Sequence, residues 1–469
     1  METEMNNSTD PIFVEAGHPQ YQPWLLPPTV DEFVTLNAPA RLLSNLLDEL
    51  HVEILRDDYK GGGRPAYDPV ALIRIITFGL MNGVRSSRKL AEATAFDLRY
   101  KFLAKMAEPD FRTIARFRAT NEQKIKNLFN QTLKLGSVAG LIDLKHVSVD
   151  GTKIQANAAK HKYRSEAELD ELIQKADEVA KSLLADWKQN DDNDDHNDSQ
   201  QPPKEVQNAE KIKKRLEEAK KILAEHQAKG IVTTDQDSRM MKHKFGLHPG
   251  YNAQAVVDSN CQMIVAAEVT QDEGDNHQFQ PMVEAACENM GSVPEKISAD
   301  GGYWSMEALE YTEEKKLDAY IAPSGMKPAS LEDWIHDENA DTYTSPTGDL
   351  YLFERQRRKQ AVKNKKIYIT YRIYRCAETG KGKWIQISKE APPEYIEMQE
   401  KTSTPEGAMV YRWRKAIIEP VFAHIKVSYG FRRMLLRGLS GARTEYLLAC
   451  IVHNMSKIIN YRKLAPTTN

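Results

Sequence analysis

Three acids in this 469-residue chain stand where chemistry, rather than packing, calls for a carboxylate. In Val147-Ser148-Val149-Asp150-Gly151 the alternating valines predict a short buried strand, and Gly151 predicts a turn directly after Asp150. The construction recurs at Ile297-Ser298-Ala299-Asp300-Gly301-Gly302-Tyr303, so two strand-end aspartates are expected to share one site. The third acid, Glu419, lies in a run of helical periodicity. At about 3.6 residues per turn Lys415, Glu419 and Lys426 share one face, while Ile418, Val421 and Ile425 turn elsewhere. Three carboxylates from two strands and a helix suit hard divalent cations, and two such ions about 4 Å apart clamp an in-line phosphoryl displacement. Phosphodiester transfer is the expected chemistry.

Several elements must bring these acids together. Asp68-Pro69 predicts the start of a buried helix carrying Val70, Leu72, Ile73, Ile75, Ile76 and Leu80, with Ser86-Ser87 and Asp110 capping two more. These short helices carry Arg85, Arg88, Lys89, Arg99, Lys101, Arg112, Arg116 and Arg118, as a helical DNA-binding unit does. After the Asp150 strand, 165–188 and 204–229 form two amphipathic helices, read as an antiparallel hairpin inserted between catalytic strands. The acidic connection at 190–198 lacks the glycine and closing glutamate of a calcium loop and reads as a solvated linker. Strands then alternate with helices through Ala322, the pattern of an α/β sheet flanked by helices. Residues 325–400 predict a β-rich, basic insertion.

Composition sets outer limits. The formal net charge is −3, but the acids concentrate at 165–220 while 85–118, 355–375 and 412–443 are basic, so separate basic faces are expected. Arg412, Lys415, Arg432 and Arg433 join Arg88 and Arg116 as candidate contacts to DNA phosphates. The four cysteines form no Cys-x-x-Cys pair, which argues against a structural zinc site or a disulfide framework. No apolar run approaches a membrane span, and the polar, acidic N-terminus is unlike a signal peptide, so no membrane partner and a cytoplasmic location are expected.

Taken together and in order, Val149-Asp150-Gly151-Thr152, Tyr251-Asn252-Ala253-Gln254, Ala299-Asp300-Gly301-Gly302-Tyr303 and Glu419-Pro420-Val421-Phe422 with Lys426 resemble the DDE transposases of bacterial insertion sequences. The branch is the one whose third acid lies in a tyrosine, arginine, glutamate, lysine signature. The resemblance covers about residues 67 to 460. It implies an α/β fold with a ribonuclease H-like mixed-sheet core at 141–324 and 401–463, interrupted by a helical hairpin at 160–232 and the β-rich insertion at 325–400. A helical DNA-binding domain at 61–140 and an N-terminal arm at 1–60 precede it.

The resemblance further implies that Asp150, Asp300 and Glu419 bind two Mg²⁺ or Mn²⁺ ions and that Lys426 contacts a phosphate, with Asn252 and Tyr303 supporting the site. The expected partners are the element's terminal inverted repeats and target DNA, handled by a homodimer in the nucleoid of a bacterial cell. The family spacing places the tyrosine and arginine at 412 and 415, where this chain has Arg412 and Lys415; Tyr411 and Arg414 each fall one place early. Two alternatives stay open: a nuclease that cuts without joining, and a DNA-binding protein descended from a transposase.

Overall fold

The computed structural model describes residues 29–59, 65–191, 204–225, 228–243, 246–323, 334–360, 368–380, 382–386 and 392–464. Six helices come first: α1 (Pro39–Asp48), α2 (Pro69–Met81), α3 (Ser87–Phe96), α4 (Leu98–Leu103), α5 (Phe111–Thr120) and α6 (Glu122–Val138). Asp68 caps α2 by accepting from the Val70 amide, with Pro69 in the first turn, and Asp110 caps α5 through the Arg112 and Thr113 amides. Ser86 precedes α3 without a side-chain cap.

The central sheet is mixed. β1 (Val147–Gln155) pairs antiparallel with β5 (Gly246–Asp258) along its whole length, and parallel with β7 (Ile297–Ala299), which in turn pairs with β8 (Ala319–Ile321). On the far side of β5, β4 (Arg239–His243) pairs with its first residues and β6 (Ile264–Thr270) with its last. Three antiparallel strands followed by two parallel ones, with the acid-bearing β1 central, is the ribonuclease H-like order. The helices α9 (Phe279–Met290) and α10 (Met306–Glu314) lead into and out of β7, and Gly291 closes α9 in the left-handed conformation.

One expectation changes here. Gly151 does not turn the chain, because β1 runs through it to Gln155 in unbroken register with β5. A Cβ at Gly151 would collide with the Gln254 amide nitrogen and stand 2.7 Å from Asp275 Oδ1. The glycine therefore serves close approach rather than a bend.

The expected hairpin is α7 (Glu166–Asp191) against α8 (Lys204–Glu225), joined by Lys213–Asp177 and Lys220–Asp170 ion pairs, both 2.5 Å. Ser165 and Glu168 form the capping box at its start. Most of the acidic connection lies outside the described residues. At the hairpin's base, β2 (Tyr163–Arg164) pairs with β3 (Ile231–Val232). The second insertion is a five-stranded antiparallel meander of β9 (Ile335–Asp337), β10 (Thr342–Thr344), β11 (Leu350–Gln360), β12 (Tyr368–Cys376) and β13 (Gly382–Gln386), cored by Tyr343, Tyr351, Tyr374 and Cys376.

Three helices close the chain: α11 (Pro393–Ser403), α12 (Pro405–Ala423) and α13 (Leu439–Leu464). Between Thr444 and Met455 every residue of α13 is buried, as befits a helix apolar on nearly all sides. It lies between β6 and the N-terminal helices. Its Asn454 both accepts from the Ile264 amide and donates to the Ile264 carbonyl, satisfying the start of β6. As a result α1, α2, α5, α6, the sheet, α12 and α13 share one continuous apolar core. Among the described residues no helix is long and apolar enough to cross a membrane.

Pro420 sits inside α12, which continues past it and passes into a π-helical turn at His424–Ser428. Proline has no N–H to give the carbonyl of Ala416; Gln262 Nε2 donates to it instead, at 3.0 Å.

Candidate active site

The pairing of β1 with β7 ends at Val149 and Ala299, so Asp150 and Asp300 are the next residues on two adjacent parallel strands. Neighbouring strands lie about 4.8 Å apart, which sets the scale of their separation. Asp300 caps the 3₁₀ turn Gly301–Tyr303 by accepting from the Gly302 amide at 2.8 Å. Gly302 is needed there, since a Cβ would stand 2.9 Å from Asp300 Oδ1.

Asp150 accepts from the Gly151 amide at 2.8 Å and from Arg414 Nη1 at 3.0 Å. Burial raises its carboxyl to about 6; Arg414 opposes that shift and Asp300 adds to it. Arg414 comes from α12 and is itself buried. The arginine one place early in the signature is thus the one that reaches the acid, whereas Lys415 and Arg412 are exposed.

Glu419 departs from expectation. It lies five residues beyond Arg414, about 140° around the helix, and is exposed with no hydrogen bond or ion pair to any described residue. Among the described residues no group of three or more His, Cys, Asp or Glu side chains could hold a metal ion. The three acids expected as joint ligands are therefore not gathered. Asp150 and Asp300 are brought together, and the neighbouring positive charge is a guanidinium.

The other expected residues divide by environment. Lys426 is half-buried, its ammonium pushed down by burial and by Lys153 while Asp150 opposes the shift. Asn252 and Tyr303 are fully buried beneath the site. Asn252 Nδ2 donates to Asp275 Oδ1 at 2.7 Å, and the Tyr303 hydroxyl donates to Gln254 Oε1. Asp275 escaped the sequence reading. It sits in an acid-rich loop with no strand or helix signal, and its partners lie 21, 23 and 122 residues earlier in the chain.

A family model described as "Transposase DDE domain" matches residues 180–455. The chain belongs to this family. A second model, "Transposase domain (DUF772)", matches residues 28–120 of this DDE transposase, the stretch holding α1 to α5. No curated protein matches the chain. Among solved structures it is similar to a chain of the "piggyBac transposase synaptic complex with hairpin DNA", at 10% identity, over 90% of this chain and 74% of that one, with a TM-score of 0.33. That likeness is too distant to carry an argument.

The basic residues of this DDE transposase do not form one class. Arg85 and Arg118, expected on a DNA-facing surface, are buried around Glu445, each 3.6 Å from a carboxylate oxygen. Arg85 also donates to the Gly430 carbonyl at 2.6 Å and lies over the Phe431 ring. Arg99 pairs with Asp97, and Lys101 with Glu108. Arg88, Lys89, Arg112 and Arg116 are exposed. Arg432 and Arg433 are exposed on a segment bonded to the far end of β1: the Gln155 amide donates to the Arg432 carbonyl, and the Met434 amide to the Gln155 carbonyl. This segment takes the side of β1 that β7 leaves after Val149.

Proposed function

We propose that this DDE-family chain is a metal-dependent transposase that cuts DNA at the ends of an insertion sequence and joins those ends to target DNA. The observation that carries the reading is the pair Asp150 and Asp300 on adjacent parallel strands, with a cation already drawn to the buried member. Two carboxylates are hard oxygen donors, and the burial that lifts Asp150 is relieved by nearby positive charge, so the pair fits Mg²⁺ or Mn²⁺. Asp150 and Asp300 would hold the metal, with Glu419 joining from α12. When bound, two such ions stabilise charge on the attacking and leaving oxygens of a phosphodiester displacement.

The chain's own residues prepare that step. Arg414 favours the ionised form of Asp150, the form in which the carboxylate would hold a metal. Lys426, Arg432 and Arg433, with Arg412, Lys415, Arg88 and Arg116, hold DNA phosphates; Asn252 and Tyr303 keep the floor of the site rigid. In cutting, a water oxygen bonds to phosphorus and the 3′ oxygen departs with a proton as a hydroxyl. In joining, that hydroxyl attacks a target phosphodiester, and the target's own 3′ oxygen departs. A homodimer handling two terminal inverted repeats, in the bacterial nucleoid, follows from the same reading.

The test is cleavage of a plasmid carrying the sequences that flank the gene, in Mg²⁺ or Mn²⁺, by wild-type protein and by Asp150→Asn, Asp300→Asn and Glu419→Gln. The reading expects cutting by the wild type alone, with DNA binding retained by all four. The exposed Glu419 favours a second reading, a DNA-binding descendant with idle acids; binding indifferent to Mg²⁺ without cleavage under any divalent ion would support it. Cutting without joining of a 3′-hydroxyl substrate would mark a nuclease.

A further inference from the structure

The ladder that pairs β1 with β7 stops one residue short of Asp150 and Asp300, so strand hydrogen bonds do not fix the two acids against each other. Asp275, in the loop between β6 and α9, spans that gap. Its Oδ1 accepts three hydrogen bonds: from Asn252 Nδ2 at 2.7 Å, Gln254 Nε2 at 2.8 Å and Lys153 Nζ at 3.0 Å. Lys153 lies on β1 three residues past Asp150, and Gln254 is the register partner of Gly151. Gln254 in turn accepts from Tyr303, the last residue of the turn that Asp300 caps.

The second oxygen is oriented differently. Asp275 Oδ2 accepts no hydrogen bond among the described residues, and it lies 3.4 Å from where a Cβ of Gly302 would stand. One oxygen of this carboxylate therefore anchors the Asp150 strand and β5, while the other abuts the Asp300 turn. Three donors on a single oxygen, one of them an ammonium, make a strong and directional tie.

We propose that Asp275 is a positioning residue of the site: it fixes Lys153 and, through Gln254 and Tyr303, the Asp300 turn, so that Asp150 and Asp300 keep their mutual placement when a divalent cation binds. The proposal rests on the two-aspartate reading above. Its role is indirect, and removing such outer partners costs about 10–100-fold in metal affinity or activity.

The experiment is Mn²⁺ binding followed by electron paramagnetic resonance on full-length wild type, Asp150→Asn, Asp275→Asn, Asp275→Ala and Lys153→Met. Plasmid cleavage and thermal unfolding are measured alongside. Asp275→Ala is expected to weaken Mn²⁺ binding about 10–100-fold, and Asp275→Asn, which keeps an acceptor but no charge, by less. Lys153→Met added to Asp275→Ala should cost nothing further, since the two act through one contact. If Asp275→Ala does not fold, Asp275→Asn and Lys153→Met carry the same comparison. Wild-type affinity in the Asp275 variants alongside lost binding in Asp150→Asn overturns the proposal and leaves the functional reading standing. Absence of Mn²⁺ binding by the wild type itself, with Asp150→Asn indistinguishable from it, overturns both.

Discussion

Arg414 and Asp150 meet at 3.0 Å with both side chains largely removed from water, one from α12 and one from the central strand. Their pairing joins the last segment of the DDE core to the first. Taking one charge away leaves the other buried without compensation, which costs more than the pair contributes. Arg414→Gln should therefore lower stability by about 3 kcal/mol at pH 7.5 in EDTA. The loss should shrink at pH 5, where Asp150 takes up a proton and no longer needs its partner. Urea unfolding at both pH values checks this, and an equal loss at the two would remove the pairing as its cause.

Asp150 by itself carries a pH signature. Its folded value is about 6 against an ordinary 3.8. Between those values the folded state holds the proton that the unfolded chain releases, so this group's contribution falls as pH rises through the window and is fully unfavourable above about 6. Asp150→Asn removes the penalty. Set against the Arg414 charge it leaves unpaired, the variant should in metal-free buffer gain about 2–3 kcal/mol relative to wild type between about pH 4 and pH 7.5. Comparing the two urea transitions across that range tests it. For metal binding the sign reverses, because a protonated Asp150 is a poor ligand, so Mn²⁺ affinity should rise as pH rises through about 6.

Much of this site could be read from residues alone, and the exceptions have physical causes. Asp300 was legible because Gly301 and Gly302 follow a β-prone run, and the turn they make is the one the aspartate caps. Asp150 was legible as an acid on a buried strand, but Gly151 read as a turn; nine paired positions with β5 override its local preference. On α12 the family spacing and the packing differ by one place. Spacing counted from Glu419 points to Lys415, whereas the helix face packed on β1 presents Arg414. Basic composition predicted a DNA-facing surface and could not tell Arg85 and Arg118 from Arg88 and Arg116, since only tertiary packing brings Glu445 between the first two. Asp275 left no trace in the sequence because its donors come from two strands, Asn252 and Gln254 on β5 beyond β6, and Lys153 on β1 beyond the long insertion.

Glu419 separates catalysis from folding. Exposed and without a partner among the described residues, it contributes little to stability, so Glu419→Gln should unfold within about 0.5 kcal/mol of wild type. Cleavage should fall at least about 100-fold if the carboxylate joins the aspartates on DNA. A variant that cuts normally would strike Glu419 from the site and leave the two aspartates to be completed by another acid.

Glu445 makes the opposite case. It is buried between Arg85 and Arg118, and its Oε2 accepts the Leu435 and Leu436 amides at 2.6 and 3.2 Å, next to the segment carrying Arg432 and Arg433. Both arginines stay charged only at the expense of burial, which pushes each guanidinium below its ordinary range while Glu445 opposes the shift. Glu445→Gln keeps an acceptor for the amides but leaves two buried cations facing each other, and should cost about 3–5 kcal/mol. Since Arg85 comes from the loop before α3, Arg118 from α5 and the amides from the chain beside β1, the same change should loosen the Arg432–Arg433 segment. Hydrogen exchange at Leu435 and Leu436 should quicken, and the slope of log affinity for DNA against log salt should flatten by about one to two phosphate contacts. Unchanged exchange at those two amides, with stability lost, would confine Glu445 to holding the helices together.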